Sequence, residues 1–206
     1  MFSKRKITLV ANTKKAALRF AVLAGTPSRT FKLSTQEEQR YFAEHFPLGQ
    51  KMNDTTYVFS STIFANKNGQ ARLFMAALPV DVCDELAYAG AEKYGSIHRI
   101  AAIDCIEHIL LRKYSENFAP DENVFIFLPQ DNGLRVLYIK ENLPTGAVFI
   151  SNHPDYREVE FMRFYNTLEK SETQRAILIN FDESFLWLQE ILTTQNILHE
   201  EAQHTE

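Results

Sequence analysis

Residues Asn123 to Ser151 read Asn-Val-Phe-Ile-Phe-Leu-Pro, then Gln-Asp-Asn-Gly, then Leu-Arg-Val-Leu-Tyr-Ile-Lys, then Glu-Asn-Leu-Pro-Thr-Gly, then Ala-Val-Phe-Ile-Ser. Apolar runs rich in β-branched and aromatic residues alternate here with segments of Asn, Asp, Gly and Pro, which break regular structure. The spacing predicts three consecutive β-strands joined by short turns. Downstream, His153-Pro154-Asp155 predicts a turn into a helix capped by Asp155, and Val159, Phe161, Met162, Tyr165 and Leu168 give the segment from Asp155 to Leu168 a broad apolar face. Arg175 to Phe181 predicts a further strand, and Phe185, Leu188, Ile191 and Leu192 recur at helical spacing. Residues beyond about Ile197 are polar and predict a frayed tail.

Working upstream, the same ordering recurs. Ile7 to Val10 and Ala16 to Leu23 predict two strands around Asn12-Thr13-Lys14-Lys15, with Arg29 to Leu33 as a third strand of an antiparallel meander. Ser34-Thr35-Gln36-Glu37 has the form of a helix start, and that helix should stop at Phe46, before Pro47. Thr56 to Phe64 and Ala71 to Ala77 predict strands around Asn66-Lys67-Asn68-Gly69. A helix follows from Pro79 to Gly90 with Val80, Cys83, Leu86 and Ala87 on its apolar face. Arg99 to Ile103 reads as a short strand, and Ile103, Ile106, Leu110 and Tyr114 as a helical stripe. The chain therefore predicts an α+β protein of two related lobes, residues 1–95 and 96–197, with a polar tail at 198–206.

A chain of 206 residues with 45% hydrophobic and 12% aromatic residues has enough apolar surface for a real core. Two cysteines, Cys83 and Cys105, are too few for a disulfide framework and read as reduced thiols. The basic opening Met1 to Val10 is not followed by a continuous apolar core, and no apolar run reaches membrane-spanning length, so a cytoplasmic protein is expected. The net charge of −4 conceals an asymmetry. Residues 1–36 contain Lys4, Arg5, Lys6, Lys14, Lys15, Arg19, Arg29 and Lys32 and no acid, whereas everything after Arg175 contains acids and no Lys or Arg. The basic end leaves open anion or nucleic-acid binding, but only Phe20 and Phe31 are interleaved with its charges, which disfavours nucleic acid.

Asp131-Asn132-Gly133 sits between two predicted strands, where an acid and a glycine could approach a phosphate or its metal. Hairpin chemistry accounts for the same residues, because Asn and Gly accept the backbone conformations of a tight turn. The corresponding earlier turn offers Lys14 and Lys15 to a phosphate but neither acid nor glycine. Asp104, Glu107 and His108 form the densest polar cluster and could do acid/base work or bind a divalent ion. They also read as a helix opening, with Glu107 and His108 pointing to different parts of its surface. His153 with Asp155 lacks a nearby nucleophile, and Trp187, between Leu186 and Leu188, reads as core. No residue is assigned a catalytic or metal-binding role, no cofactor is expected, and Lys14, Asp131 and Gly133 are the only candidates for a bound nucleotide.

From Leu73 to Tyr114 the chain runs Leu-Phe-Met-Ala-Ala-Leu-Pro-Val-Asp-Val-Cys-Asp-Glu-Leu, Ala89-Gly90, and then Ile103-Asp104-Cys105-Ile106-Glu107-His108-Ile109-Leu110-Leu111-Arg112. This segment, with the strands before and after it, resembles the pilus-assembly actin-like (PilM-like) proteins and the cytoplasmic domain of type II secretion protein L. The resemblance covers most of residues 7–181 and rests on element order and hydrophobic positions. It implies an actin-like ATPase, ribonuclease H-like fold of two lobes, each with a mixed sheet opened by an antiparallel three-stranded meander and flanked by helices. It also implies a cytoplasmic scaffold for a membrane-embedded assembly machine, with protein partners, membrane-anchored ones included, and room for a homodimer. The chain departs from nucleotide-binding members: its first turn lacks Asp-x-Gly, its second keeps only Asp131 and Gly133, and no Gly-rich loop follows Phe181. A scaffold that is not an enzyme is therefore the leading expectation, ahead of a nucleotide-binding or ATP-hydrolysing protein of the same fold.

Overall fold

The computed structural model describes residues 7–23, 57–96, 100–115, 117–119, 121–168 and 173–203. The strand expected at Arg29 to Leu33 and the helix expected from Ser34 to Phe46 lie outside them. In the first lobe, β1 (Ile7–Ala11) and β2 (Ala17–Val22) precede β3 (Tyr57–Ala65) and β4 (Ala71–Pro79). β4 runs without a loop into α1 (Val80–Tyr94), because Pro79, with φ −59°, already holds a helix-compatible torsion. β5 (Ile100–Cys105) and α2 (Ile106–Tyr114) follow.

Two of these elements pair differently from the sequence expectation. β1 and β2 do not form a hairpin: β1 pairs in parallel with β5, while β2 and β3 flank β4 in an antiparallel sheet. The reason is burial. Leu73 to Leu78 of β4 are all below 5% exposure, so β4 needs partners on both edges to satisfy its backbone. β5, expected to open the second lobe, is paired with β1 in a two-stranded parallel sheet. α1 covers that pair, and Gly90, expected to end the helix, lies inside it. A Cβ on Gly90 would sit 2.7 Å from Leu9 Cδ1, so the absent side chain lets α1 rest on β1, and the helix ends instead at Gly95 with φ 77°.

The second lobe holds β6 (Glu122–Gln130), β7 (Gly133–Lys140), β8 (Leu143–Ser151), α3 (Arg157–Asn166), β9 (Thr173–Ile179), α4 (Leu186–Thr194) and β10 (Leu198–Ala202). Its sheet has the order β10-β9-β6-β7-β8, an antiparallel meander extended by two parallel strands. The break predicted over Glu141 to Gly146 shrinks to Glu141-Asn142, both in the left-handed region at φ 54° and 62°. That conformation matches the twist of a hairpin, so Leu143 to Gly146 are free to pair. β8 tolerates Pro144 as an edge strand, and the register shifts there, with Tyr138 opposite Gly146 and Ile139 opposite Pro144.

The tail expected to fray forms β10. Its side chains from Leu198 to Glu201 are exposed, so it carries no apolar signal; parallel backbone pairing with β9 holds it in place. Arg175 Nη1 lies 3.7 Å from Glu200, and Gln189 donates to Glu201 at 2.9 Å.

β6, β7 and the Ala176–Ile179 part of β9 are buried on both faces, which is why these strands read as continuous apolar runs. Phe125, Phe127, Leu134, Val136 and Tyr138 pack with Phe161, Tyr165, Trp187 and Leu188 of α3 and α4. Val124, Ile126, Leu128, Leu137 and Ile139 face the other way and share a core with α2 residues Ile106, Leu110 and Leu111 and with Phe64, Phe74 and Leu78 of the small sheet. α2 is thus wedged between the lobes, and its polar side chains reach both.

Candidate functional site

The first polar cluster joins the turn after β1 to the second lobe. Within that turn the Lys15 and Ala16 amides are committed locally, donating to Thr13 Oγ1 and Thr13 O, each at 3.2 Å. The Lys14 and Ala16 carbonyls accept from Arg135 Nη2 of β7 at 3.2 and 3.3 Å. Arg135 shares a sheet face with Leu137 and Ile139, so strand alternation carries its guanidinium inward. There its Nε lies 3.3 Å from Glu107 Oε1, an ion-pair contact without hydrogen-bond alignment, and Gln130 Nε2 donates to the same oxygen at 3.0 Å. Glu107, in the first turn of α2, is fully buried and its Oε2 has no partner. Burial pushes its carboxyl above the ordinary range, opposed by Arg135 and by the Gln130 hydrogen bond. Burial, and then the charge of Glu107, also push the neighbouring Cys105 thiol strongly upward. Cys105 and Cys83 are both free and buried.

Phe149 of β8 completes this region. Its ring centroid is 6.0 Å from Lys14 Nζ and 5.7 Å from the Arg135 guanidinium. A Cβ on Gly133 would lie 2.4 Å from Phe149 Cζ and 2.4 Å from the Ile150 carbonyl oxygen. Two of the three nucleotide candidates, Lys14 and Gly133, therefore converge on an aromatic ring, while Asp131 is exposed at the tip of the turn after β6. Gly133 makes room for Phe149.

A magnesium-bound phosphate requires N–H donors and a carboxylate facing one space. This turn offers carbonyl oxygens to that space, already bound to a guanidinium, and its Lys15 and Ala16 amides are bound within the turn itself. Among the described residues, those of this turn do not fit a magnesium-nucleotide. Among the described residues, no group of three or more His, Cys, Asp or Glu side chains is arranged to hold a metal ion.

The second cluster lies on another side of α2. Asp104, the penultimate residue of β5, does not cap the helix; the capping position is Cys105, whose backbone N–H donates to Asp104 Oδ1 at 2.9 Å. Both Asp104 oxygens are 2.9 Å from His108 Nδ1, and His108 Nε2 is 2.5 Å from Thr62 Oγ1 of β3. His108 is buried, its ring stacked on Phe74 with centroids 5.4 Å apart. The polar cluster of the sequence thus divides: Glu107 turns to Arg135, while Asp104 and His108 turn to Thr62.

Thr62, Arg135, Gln130 and Phe149 carry no motif. Arg135 alone left a trace in the sequence, a charge at a position whose i+2 and i+4 neighbours, Leu137 and Ile139, are apolar. His153 and Asp155 stay on the surface, where the Asp155 N–H donates to His153 Nδ1 at 3.3 Å. Asp155 caps nothing: the capping position of α3 is Tyr156 and has no side-chain bond. Trp187 is buried as expected, its Nε1 donating to Asn152 Oδ1 at 3.1 Å.

No protein-family model and no curated protein matches the chain. Solved structures do. A protein of unknown function with an actin-like ATPase fold, from Bacteroides thetaiotaomicron, superposes with a TM-score of 0.56 at 8% identity, covering 96% of this chain and 68% of that one. A chain of the PilM-PilN type IV pilus biogenesis complex superposes with a TM-score of 0.56 at 10% identity, covering 96% and 69%. With a meander extended by parallel strands in one lobe and mixed pairing in the other, the chain has the actin-like ATPase fold.

Proposed function

We propose that this chain is a non-catalytic actin-like scaffold that binds protein partners in a pilus or secretion assembly platform. The observation that supports this reading is the filling of the space between the turns after β1 and β6. Arg135, Glu107 and Phe149 occupy it, and the turn's carbonyls are spent on Arg135. An internal ion pair there does the mechanical work of joining the lobes that a bound ligand could otherwise do. The superposition on a chain of a complex formed by two pilus proteins agrees with a role in protein binding. Among the described residues no helix is long and apolar enough to cross a membrane.

Calorimetry with magnesium-ATP and magnesium-ADP tests the first half of the proposal, which expects no binding heat up to millimolar nucleotide. A saturable heat would overturn it in favour of a nucleotide-binding protein. Affinity capture from the native host tests the second half, and the expected catch includes membrane proteins of an assembly machine. Retention on heparin or DNA that weakens steeply with salt, with no protein captured, would instead point to the basic first 36 residues as an anion-binding surface.

A further inference from the structure

The hydrogen-bond chain from Asp104 through His108 to Thr62 plays no part in joining the lobes through Arg135, and its atoms are in a chemically meaningful order. An ionised carboxylate can only accept, so the proton between Asp104 and His108 sits on Nδ1. The lone pair of His108 Nε2 is then free to accept, and the Thr62 hydroxyl donates into it at 2.5 Å. Nucleophile, base and orienting acid stand in the sequence that activates a hydroxyl. Each member is held from behind: Asp104 Oδ1 by the Cys105 amide, the imidazole by the face of Phe74, and Thr62 by its place in β3 opposite Phe74.

The chain ends at an opening. Thr62 lines a cavity of about 320 Å³ together with Phe64, Ala65, Arg112, Ser115 and Asn142. Arg112 is exposed and lies one helical turn beyond His108, on the same side of α2. The Ser115 hydroxyl is committed to the Leu111 carbonyl, which leaves Thr62 as the wall hydroxyl paired with a base. A guanidinium at the rim favours an anionic molecule of small size.

We propose that Thr62 is a base-activated nucleophile that accepts an acyl group from small activated esters carrying a carboxylate, with Arg112 binding that carboxylate. In the step, Thr62 Oγ1 bonds to the acyl carbon as its proton passes to His108 Nε2. The bond from that carbon to the leaving oxygen then breaks, and the alkoxide or phenolate departs with its electron pair. The imidazolium gives its proton to solvent, and the product is a Thr62 ester. Asp104 is a positioning residue that fixes the tautomer. This inference does not depend on the scaffold reading and stands whether or not partners are found.

The test treats the full chain with p-nitrophenyl acetate and with the mono-p-nitrophenyl ester of succinic acid, followed by intact mass and peptide mapping. One acyl group on Thr62 is expected, with the succinyl ester reacting faster and Arg112→Gln removing that preference. Thr62→Ser should remain reactive and Thr62→Val should not. His108→Ala should slow labelling about a hundredfold, with partial restoration by free imidazole. Asp104→Asn, which can donate to Nδ1 and drive the proton to Nε2, should slow labelling while shifting the His108 ring-nitrogen resonances to the other tautomer, a change that a purely structural role would not produce. Labelling that falls only on lysines, or that is equally fast in folded His108→Ala or Asp104→Asn protein, would overturn the proposal.

Discussion

The turn after β1 and the turn after β6 stand at equivalent places, each following the first strand of its lobe, and they are held in opposite ways. The turn after β6 is a two-residue connection with Gln130 paired to Gly133 and Asn132 at φ 64°, so its strands secure it directly. The turn after β1 joins strands of different sheets, and its outward carbonyls are secured by Arg135, a residue more than a hundred positions away in the chain. A hairpin satisfies its own backbone, whereas a crossing between sheets needs a partner brought by tertiary structure. In this protein that partner takes up space between the lobes.

Breaking the comparison most severely means removing Arg135. Arg135→Met leaves Glu107 buried without its countercharge and the Lys14 and Ala16 carbonyls without a donor, and should destabilise by about 3 kcal/mol or more in urea unfolding. Combining it with Glu107→Gln should recover much of that loss if the ion pair is the cause. Glu107 also fixes the sign of a pH effect. Its folded carboxyl titrates above the ordinary value of 4.5, so the folded state binds the extra proton. Its contribution to stability is fully present below that value and is lost as pH rises toward the folded one, so the wild type should lose stability relative to Glu107→Gln over that interval.

Gly133→Ala probes the other turn. The new Cβ meets the Ile150 carbonyl and the Phe149 ring at 2.4 Å, and backbone cannot give way as a side chain can. A loss of about 1–3 kcal/mol is expected in thermal unfolding, and Phe149→Ala in the same chain should relieve only part of it. The smallest effect belongs to the next hairpin, where Glu141 holds φ 54°. Glu141→Gly removes left-handed strain at some cost in unfolded-state entropy, for a net gain of about 0.5 kcal/mol in the same measurement.

Much of the fold was legible because its signals are local. Apolar runs located β6, β7 and β9, periodicity located α2 and α4, and polar breaks located the turns. The errors share one cause. Gly90 looked like a helix end because a sequence does not show that Leu9 is pressed against it. Asp155 looked like a cap because the pattern does not show which backbone groups are exposed. β10 looked like a tail because its order comes from pairing with β9 rather than from side chains of its own. Of the site, Asp104, Glu107 and His108 were visible as a cluster of types, but their division into two networks was not.

What the sequence by itself determined is the order of the described helices and strands other than β10, together with the poverty of its turns in phosphate-binding residues, because these depend on neighbours a few positions apart. Tertiary structure decided that β1 and β2 part company, that Arg135 fills the space between the lobes, and that Thr62 meets His108 46 residues away. Such pairings depend on where burial leaves a donor or acceptor in need of a partner, and that need exists only once the sheets have packed around α2.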